Sequence, residues 1–315
     1  MLNRRILRIK AFKVLYSYAV TGRPSLREAL RQLDCSCEAV RDLYLFMLAL
    51  VSPLTREAKN RMESARGKIN PSPEDLNPNT KFVDNSLAPL LDGDPDFQKM
   101  LKKKELSWDQ YDIIVRSILD SFKSKEYFST YMSSPGHSLK EDCALFTKIF
   151  EEELVDNAAL DALLEEKSIF WTDDLAYALT QCCYTLKDLS RGLPWSLPEL
   201  YQSDMVLKRK PSARIQSDCD FVHKLFQNAY SGYDRYFTLI KDNTAGWESD
   251  RLFSTDTTLI ALGLAESETF PEIPMSVTIN EYVEISKYFC SPKSGSFING
   301  LLDKLIREII KNNTL

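Results

Sequence analysis

Histidine is nearly missing from this chain: only His137 and His223 occur in 315 residues. So few imidazoles leave little material for a zinc site or a Ser-His-Asp triad, and neither a metal nor a cofactor is expected. Glycine is scarce too, at ten residues, well under the ~7% of average usage. Low glycine beside long Leu/Lys/Glu stretches disfavours a turn-rich β fold and favours helices. No Cys-x-x-Cys pair is present. The seven cysteines (Cys35, Cys37, Cys143, Cys182, Cys183, Cys219 and Cys290) are odd in number and irregular in spacing. They read as reduced, mostly buried thiols of a reducing compartment. The longest apolar run, Leu43 to Val51, has nine residues, against the ~20 that a membrane span needs. The charges near Met1 are followed by no apolar h-region, so a secretory signal is not expected. The same segment lacks serine richness and carries aromatics on a patterned face, which disfavours a mitochondrial transit peptide. A cytoplasmic protein with no membrane role is the expectation.

Acid is absent at one end. Between Met1 and Arg27 there is no Asp or Glu, but seven basic residues: Arg4, Arg5, Arg8, Lys10, Lys13, Arg23 and Arg27. The rest of the chain carries 33 basic against 45 acidic residues, so the net charge of −5 hides a cationic end and an acidic remainder. This asymmetry is expected of a protein that meets a polyanion at one place only. From Glu141 to Asp174 there are eleven acidic residues and two lysines, a composition that repels RNA and either faces solvent or docks a basic protein.

What is present is helical periodicity, with no convincing strand alternation. Asn3 can cap a first helix to about Val20, ended by Gly22, Arg23 and Pro24. Ser25 with Glu28 forms a capping box ahead of helical patterning that runs to about Arg66. Residues 67 to 95, rich in Pro, Asn and Asp, read as a long loop. Ile113, Ile114, Ser117, Ile118 and Phe122 lie on one helical stripe, and Ser138 with Glu141 caps a later helix. Trp171 to Leu189 is a further helix, and Pro194 to Pro211 a second linker. Helices then follow at about 215–240, 250–266, 279–289 and 296–311. A 76-residue offset aligns Cys143 with Cys219, Asp142 with Asp218, Trp171 with Trp247, Asp174 with Asp250 and Leu186 with Leu262. Duplication and chance alignment of two helix pairs both account for it, since periodicity alone aligns apolar positions.

On a wheel of the first helix, Leu7, Ala11, Val14, Leu15 and Tyr18 form the core stripe. Arg5, Arg8, Phe12 and Tyr16 gather on one flank, with Lys10 and Lys13 on the far side. Guanidinium pairs with phosphate, and rings stack on unpaired bases. A plain solvated face over a core helix has the same pattern. At the other end, Thr278-Ile279-Asn280-Glu281 reads as a capping box after Pro274. A final helix from about Ser296 carries Phe297, Ile298, Leu301, Leu302, Leu305, Ile306, Ile309 and Ile310 on a buried stripe.

The stretch Ile273–Leu305, IPMSVTINEYVEISKYFCSPKSGSFINGLLDKL, resembles the C-terminal signature of the NusB family. The likeness lies in a Pro-led turn, Val-x-Ile-Asn-Glu, a Phe-ended helix and a Ser-x-x-Phe-[Ile/Val]-Asn-Gly-x-Leu-Asp element from Ser294 to Asp303. RRILRIKAFKVLYSY, from Arg4, resembles the family's Arg-rich first helix, and residues 252–266 resemble the helix before the signature. Departures are Ala261, where the family commonly has Arg, and Ala265-Glu266-Ser267, where it commonly has Tyr-Glu-Leu. The implied fold is all-α, a NusB-like helical bundle with an inserted helical region. Its implied parts are 1–34 as the start of the first bundle, 35–214 as a family-atypical insertion and 215–315 as the NusB-like C-terminal region.

The resemblance implies a non-enzymatic, RNA-binding transcription antitermination factor. It would bind boxA-type RNA together with the ribosomal protein NusE, within the RNA polymerase antitermination complex. The RNA-facing set it implies is Arg4, Arg5, Arg8, Tyr16, Lys293, Ser294, Ser296, Phe297 and Asn299, with Arg5 and Arg8 on phosphate. Asp256 would face NusE. Rival readings are an RNA adaptor of the same fold in ribosomal RNA processing, a helical scaffold, and an enzyme. The last has no Gly-rich cofactor loop and no Pro-Cys nucleophile motif to support it.

Overall fold

A computed structural model describes residues 2–22, 25–193, 196–201, 217–244 and 254–313. Among these residues every regular element is helical and no strand occurs. The Lys208–Pro211 stretch, and Trp247 and Asp250 of the 76-residue register, lie outside the described residues. The chain divides into two compact units, Met1–Glu38 with Glu199–Leu315, and Ala39–Pro198.

The first unit holds α1 (Arg4–Thr21), the start of α2 (Leu26–Leu48), α12 (Asp218–Asp242), α13 (Ser254–Thr269), α14 (Met275–Phe289) and α15 (Ser294–Asn313). Helix α13 is its axis. Its middle, Leu259–Ala265, is apolar on every side, so it belongs inside, and every residue from Asp256 to Glu266 is buried. Helices α1, α12, α14 and α15 pack around it. At Gly263 the neighbours press close on α13: a Cβ there would stand 2.9 Å from the Leu302 side chain and 3.2 Å from the Tyr282 ring. Helix α1 starts as expected, with the Arg5 N–H donating to Asn3 Oδ1 at 2.9 Å. It ends at Gly22, whose φ of +98° only glycine adopts freely.

The second unit contains the end of α2 and α3 (Val51–Arg66), α4 (Pro73–Leu76), α5 (Leu87–Asp92), α6 (Pro95–Lys103), α7 (Asp112–Lys123), α8 (Glu126–Ser133), α9 (Leu139–Glu152), α10 (Ala158–Lys167) and α11 (Leu175–Ser190). Its core joins Phe82, Phe122, Phe128 and Phe146 in one ring cluster. Phe46 stacks on Trp108 at 4.3 Å, and the Trp108 indole donates to the Phe46 carbonyl.

Four local expectations need correction. The supposed loop 67–95 contains α4 and α5, because Ser72 with Asp75 makes a full capping box and Leu87, Ala88 and Leu91 have a core to bury in. The α7 stripe is rotated: Val115, Ile118, Leu119 and Phe122 are buried, while Ile113 is exposed. Thr278 is not a cap. Helix α14 already starts at Met275, and the Thr278 hydroxyl points into the core. The acidic run 141–174 is only partly surface, since Asp142, Glu153 and Asp174 are buried.

Asp142 and Asp218, paired by the 76-residue register, are both fully buried in the first turn of their helices. Each accepts from a backbone N–H just ahead of another helix: Ser86 for Asp142, at 2.8 Å, and Leu2 for Asp218, at 3.2 Å. Likewise α9 packs on α11 as α12 packs on α13.

Candidate nucleic-acid interface

The cationic flank of α1 lies against α14. Arg5 forms a bidentate pair with Glu281, Nε to Oε2 at 3.0 Å and Nη2 to Oε1 at 2.7 Å. One turn on, Arg8 grips Glu266 of α13 in the same way, at 2.7 and 2.8 Å, and its Nη1 lies 3.5 Å from Glu281. Glu266 also accepts from the Thr278 hydroxyl at 3.0 Å and the Tyr282 phenol at 2.9 Å. Both carboxylate oxygens are thereby satisfied inside the unit, as a buried charge requires. Burial, with Glu266 beside it, drives the Tyr282 phenol well above its ordinary pKa.

Farther along α1 the contact turns aromatic. The Phe12 ring meets Phe289 at 5.3 Å and Tyr16 at 6.0 Å, and the Lys13 ammonium stands 5.8 Å from the Phe289 centroid. The start of the chain is therefore packed on the first helix of the closing helix–loop–helix. Past Phe289 the short connection to α15 carries exposed Ser291, Pro292 and Lys293; beyond it, Ser296 and Asn299 are exposed and Phe297 is half-buried.

Several residues expected on the surface, by the helical wheel or by the resemblance, are drawn inward. Arg8 is only 4% exposed and is engaged with Glu266. Lys10, expected on the far side, is buried, because α13 and α12 both pack on α1 and enclose more than one face of it. Arg4 lies with its guanidinium 4.0 Å over the Phe221 ring, and desolvation lowers its pKa against the opposing pull of Asp218. Ser294 is buried and bonds Ser291 across the loop at 2.9 Å. Asp256 is buried too. The Cys290 thiol lies against it, pushed up to about 12 by burial first and by that carboxylate second.

Of the expected RNA-facing residues, Arg5, Tyr16, Lys293, Ser296, Phe297 and Asn299 stay exposed or half-buried, and α1 and α14 add Lys13 and Tyr288. Tyr288 is 75% exposed and close enough to Arg5 to act on its charge. Sequence reasoning passed over Tyr288, although it lies seven residues after Glu281 and so on the same helix face. Electrostatically the face is weaker than α1 alone suggests, because two guanidiniums meet two carboxylates. Chemically it offers ring faces and a few cations, suited to unpaired bases and a small number of phosphates. None of these residues belongs to the His/Cys/Asp group with metal-holding spacing found among the described residues, Asp34, Cys219 and His223.

The NusB family model matches residues 199–307. Three proteins named transcription antitermination protein NusB are among the similar ones. The one from Dictyoglomus thermophilum is 33% identical over 88 residues, 28% of this chain and 61% of that protein. The one from Myxococcus xanthus is 36% identical over 98 residues, 31% and 66% of the two chains. The one from Finegoldia magna is 33% identical over 93 residues, 30% and 68%. The chain thus spans about three fifths of the length of the first of these relatives. No solved structure matches. Among the described residues no helix is long and apolar enough to cross a membrane.

Proposed function

The chain belongs to the NusB family, and from that premise we propose that it is an RNA-binding transcription antitermination factor that works in the cytoplasm. It binds boxA-type RNA together with the ribosomal protein NusE, as part of the RNA polymerase antitermination complex, and carries out no catalysis itself. The observation that supports this reading best is the meeting of α1 with α14 through Arg5–Glu281 and Phe12–Phe289. That contact sets the start of the chain against α14, which carries exposed Tyr288 and leads into the loop with exposed Lys293.

With Arg8 and Arg4 drawn inward, few cations are left to meet phosphate. Each neutralised phosphate on a single strand contributes about −0.7 to the log–log salt slope. Two or three such contacts give modest, salt-sensitive binding, so affinity at physiological salt depends on stacking and on a second protein that reads the same RNA. NusE has that role in the proposal.

A boxA RNA shift assay with and without NusE, over a salt series, tests it. Binding should strengthen with NusE and show a shallow slope. Tyr288→Ala should weaken it by the ~1–3 kcal/mol of one stacked base, without loss of fold, since the ring is exposed. Indifference of RNA binding to both Arg5→Ala and Tyr288→Ala would overturn the assignment of this face. RNA crosslinking that recovers no boxA-like sequence would instead favour an adaptor role in ribosomal RNA processing.

A further inference from the structure

The scarcity of histidine argues against a metal centre, yet the fold gathers one of the two histidines with a thiol and a carboxylate. Cys219 and His223 are four residues apart on α12, one turn, and so share a face. That face meets Asp34 of α2, within the same unit. His223 Nε2 lies 2.7 Å from Asp34 Oδ1 and 3.6 Å from Cys219 Sγ, and all three donor atoms fall within 4.8 Å of one another. All three residues are partly buried, neither sealed in nor free on the surface.

A nucleophilic relay is the first alternative, and the geometry disfavours it. A Cys-His-Asp relay uses both ring nitrogens, one toward the nucleophile and the other toward the carboxylate. Here the same nitrogen, Nε2, faces both Asp34 and Cys219. Donors that converge on one point, rather than line up in a chain, are the arrangement of a ligand set.

We propose that Asp34, Cys219 and His223 form a binding site for a zinc-type divalent transition ion. The donor chemistry selects the class: thiolate and imidazole suit Zn²⁺ or Co²⁺ and disfavour Mg²⁺ and Ca²⁺, which take oxygen ligands. Ligand bonds of ~2.0–2.3 Å to a tetrahedral centre bring neighbouring donor atoms to roughly the separations seen here. Three protein ligands leave a fourth position for water. On binding, the ion takes the place of the hydrogen at Nε2, with the neutral imidazole carrying its proton on Nδ1, and the thiol proton passes to solvent.

Tyr201 positions the set. Its phenol donates to Asp34 Oδ1 at 2.7 Å. It therefore acts as a hydrogen-bonding partner that orients the carboxylate, the part outer-shell groups play at metal sites. The bound ion would tie α2 to the first turns of α12.

The test is titration of the metal-free full-length chain with Co²⁺, followed by absorption, and then competition with Zn²⁺. One equivalent should produce visible d–d bands and a thiolate-to-cobalt charge-transfer band, both erased by Zn²⁺. The charge-transfer band should vanish in Cys219→Ser and persist in Cys35→Ser, whose thiol is exposed on α2 beside Asp34. His223→Gln and Asp34→Asn should each abolish stoichiometric binding. Tyr201→Phe should retain the spectrum but weaken affinity about 10- to 100-fold. Circular dichroism of each variant separates loss of site from loss of fold. The proposal is overturned if the folded wild-type chain gives no charge-transfer band, or if the band survives Cys219→Ser.

Discussion

Arg8 and Glu266, 258 positions apart in the chain, meet as a two-point ion pair inside the first unit, with side chains only 5% and 0% exposed. This pair fastens α1 to α13, and through Thr278 and Tyr282 it reaches α14. A guanidinium that family resemblance assigns to phosphate is thus held by the protein's own carboxylate.

Removing one member of that pair strands the other in the core. Arg8→Ala should destabilise the first unit by about 3–5 kcal/mol in urea titrations. Arg8→Met with Glu266→Leu should recover part of that loss but not all, because Thr278 and Tyr282 would lose their acceptor. A cost for Arg8→Ala under ~1 kcal/mol, the range of surface pairs, would mean that the pair is not buried in solution.

Arg5 is the opposite case. At 39% exposure its pair with Glu281 is within reach of water, so Arg5→Ala should cost under ~1 kcal/mol of stability. Glu281 competes with phosphate for this guanidinium. Glu281→Gln should therefore tighten RNA binding and steepen the salt slope by about 0.7. Weaker binding in Glu281→Gln, with the fold intact, would show that the carboxylate organises the face rather than masks it.

Acid should loosen the same contact. The Glu281 carboxyl is held below its ordinary range, first by the hydrogen bond from Arg5. The folded state then binds this proton less tightly than the unfolded chain does. Its contribution is fully present above the usual carboxylate pKa and fades as pH falls through the lowered value. Measured against pH, the stability of Arg5→Met should fall less steeply in the acid limb than that of the wild type; identical acid limbs would count against it.

Gly263→Ala sets two effects against each other. Alanine favours a helix interior by ~1 kcal/mol, but its Cβ would press on Leu302 and Tyr282, both fully buried. Overpacking of that kind costs ~1–3 kcal/mol. A net loss of stability is expected, because two fully buried side chains would have to shift together. A more stable variant would mean that α15 can shift outward.

The cap at Asn3, the N-cap at Ser138, the core stripe of α1 and the buried Ile298, Leu301, Leu302, Leu305 and Ile306 of α15 were legible in sequence, because each depends on residues within a turn or two of one another. Ile309 and Ile310, expected on the same stripe, are half-buried and exposed where the helix runs past its neighbours. The family signature from Ile273 to Leu305 was legible for the same reason: it is one continuous stretch. Sequence alone also showed that acid is excluded from the first 27 residues.

Which of those cations stay outside was decided only by tertiary structure. A helical wheel gives one buried face, but α12, α13 and α14 all pack on α1, so Lys10 is enclosed and Arg8 is claimed by Glu266. The burial of Asp256 and the convergence of Asp34 on Cys219 and His223 have the same origin. Charge pairing acts over a few ångströms in space, whereas periodicity records neighbours along the chain. Partners 258 and 189 positions apart are brought together only by folding.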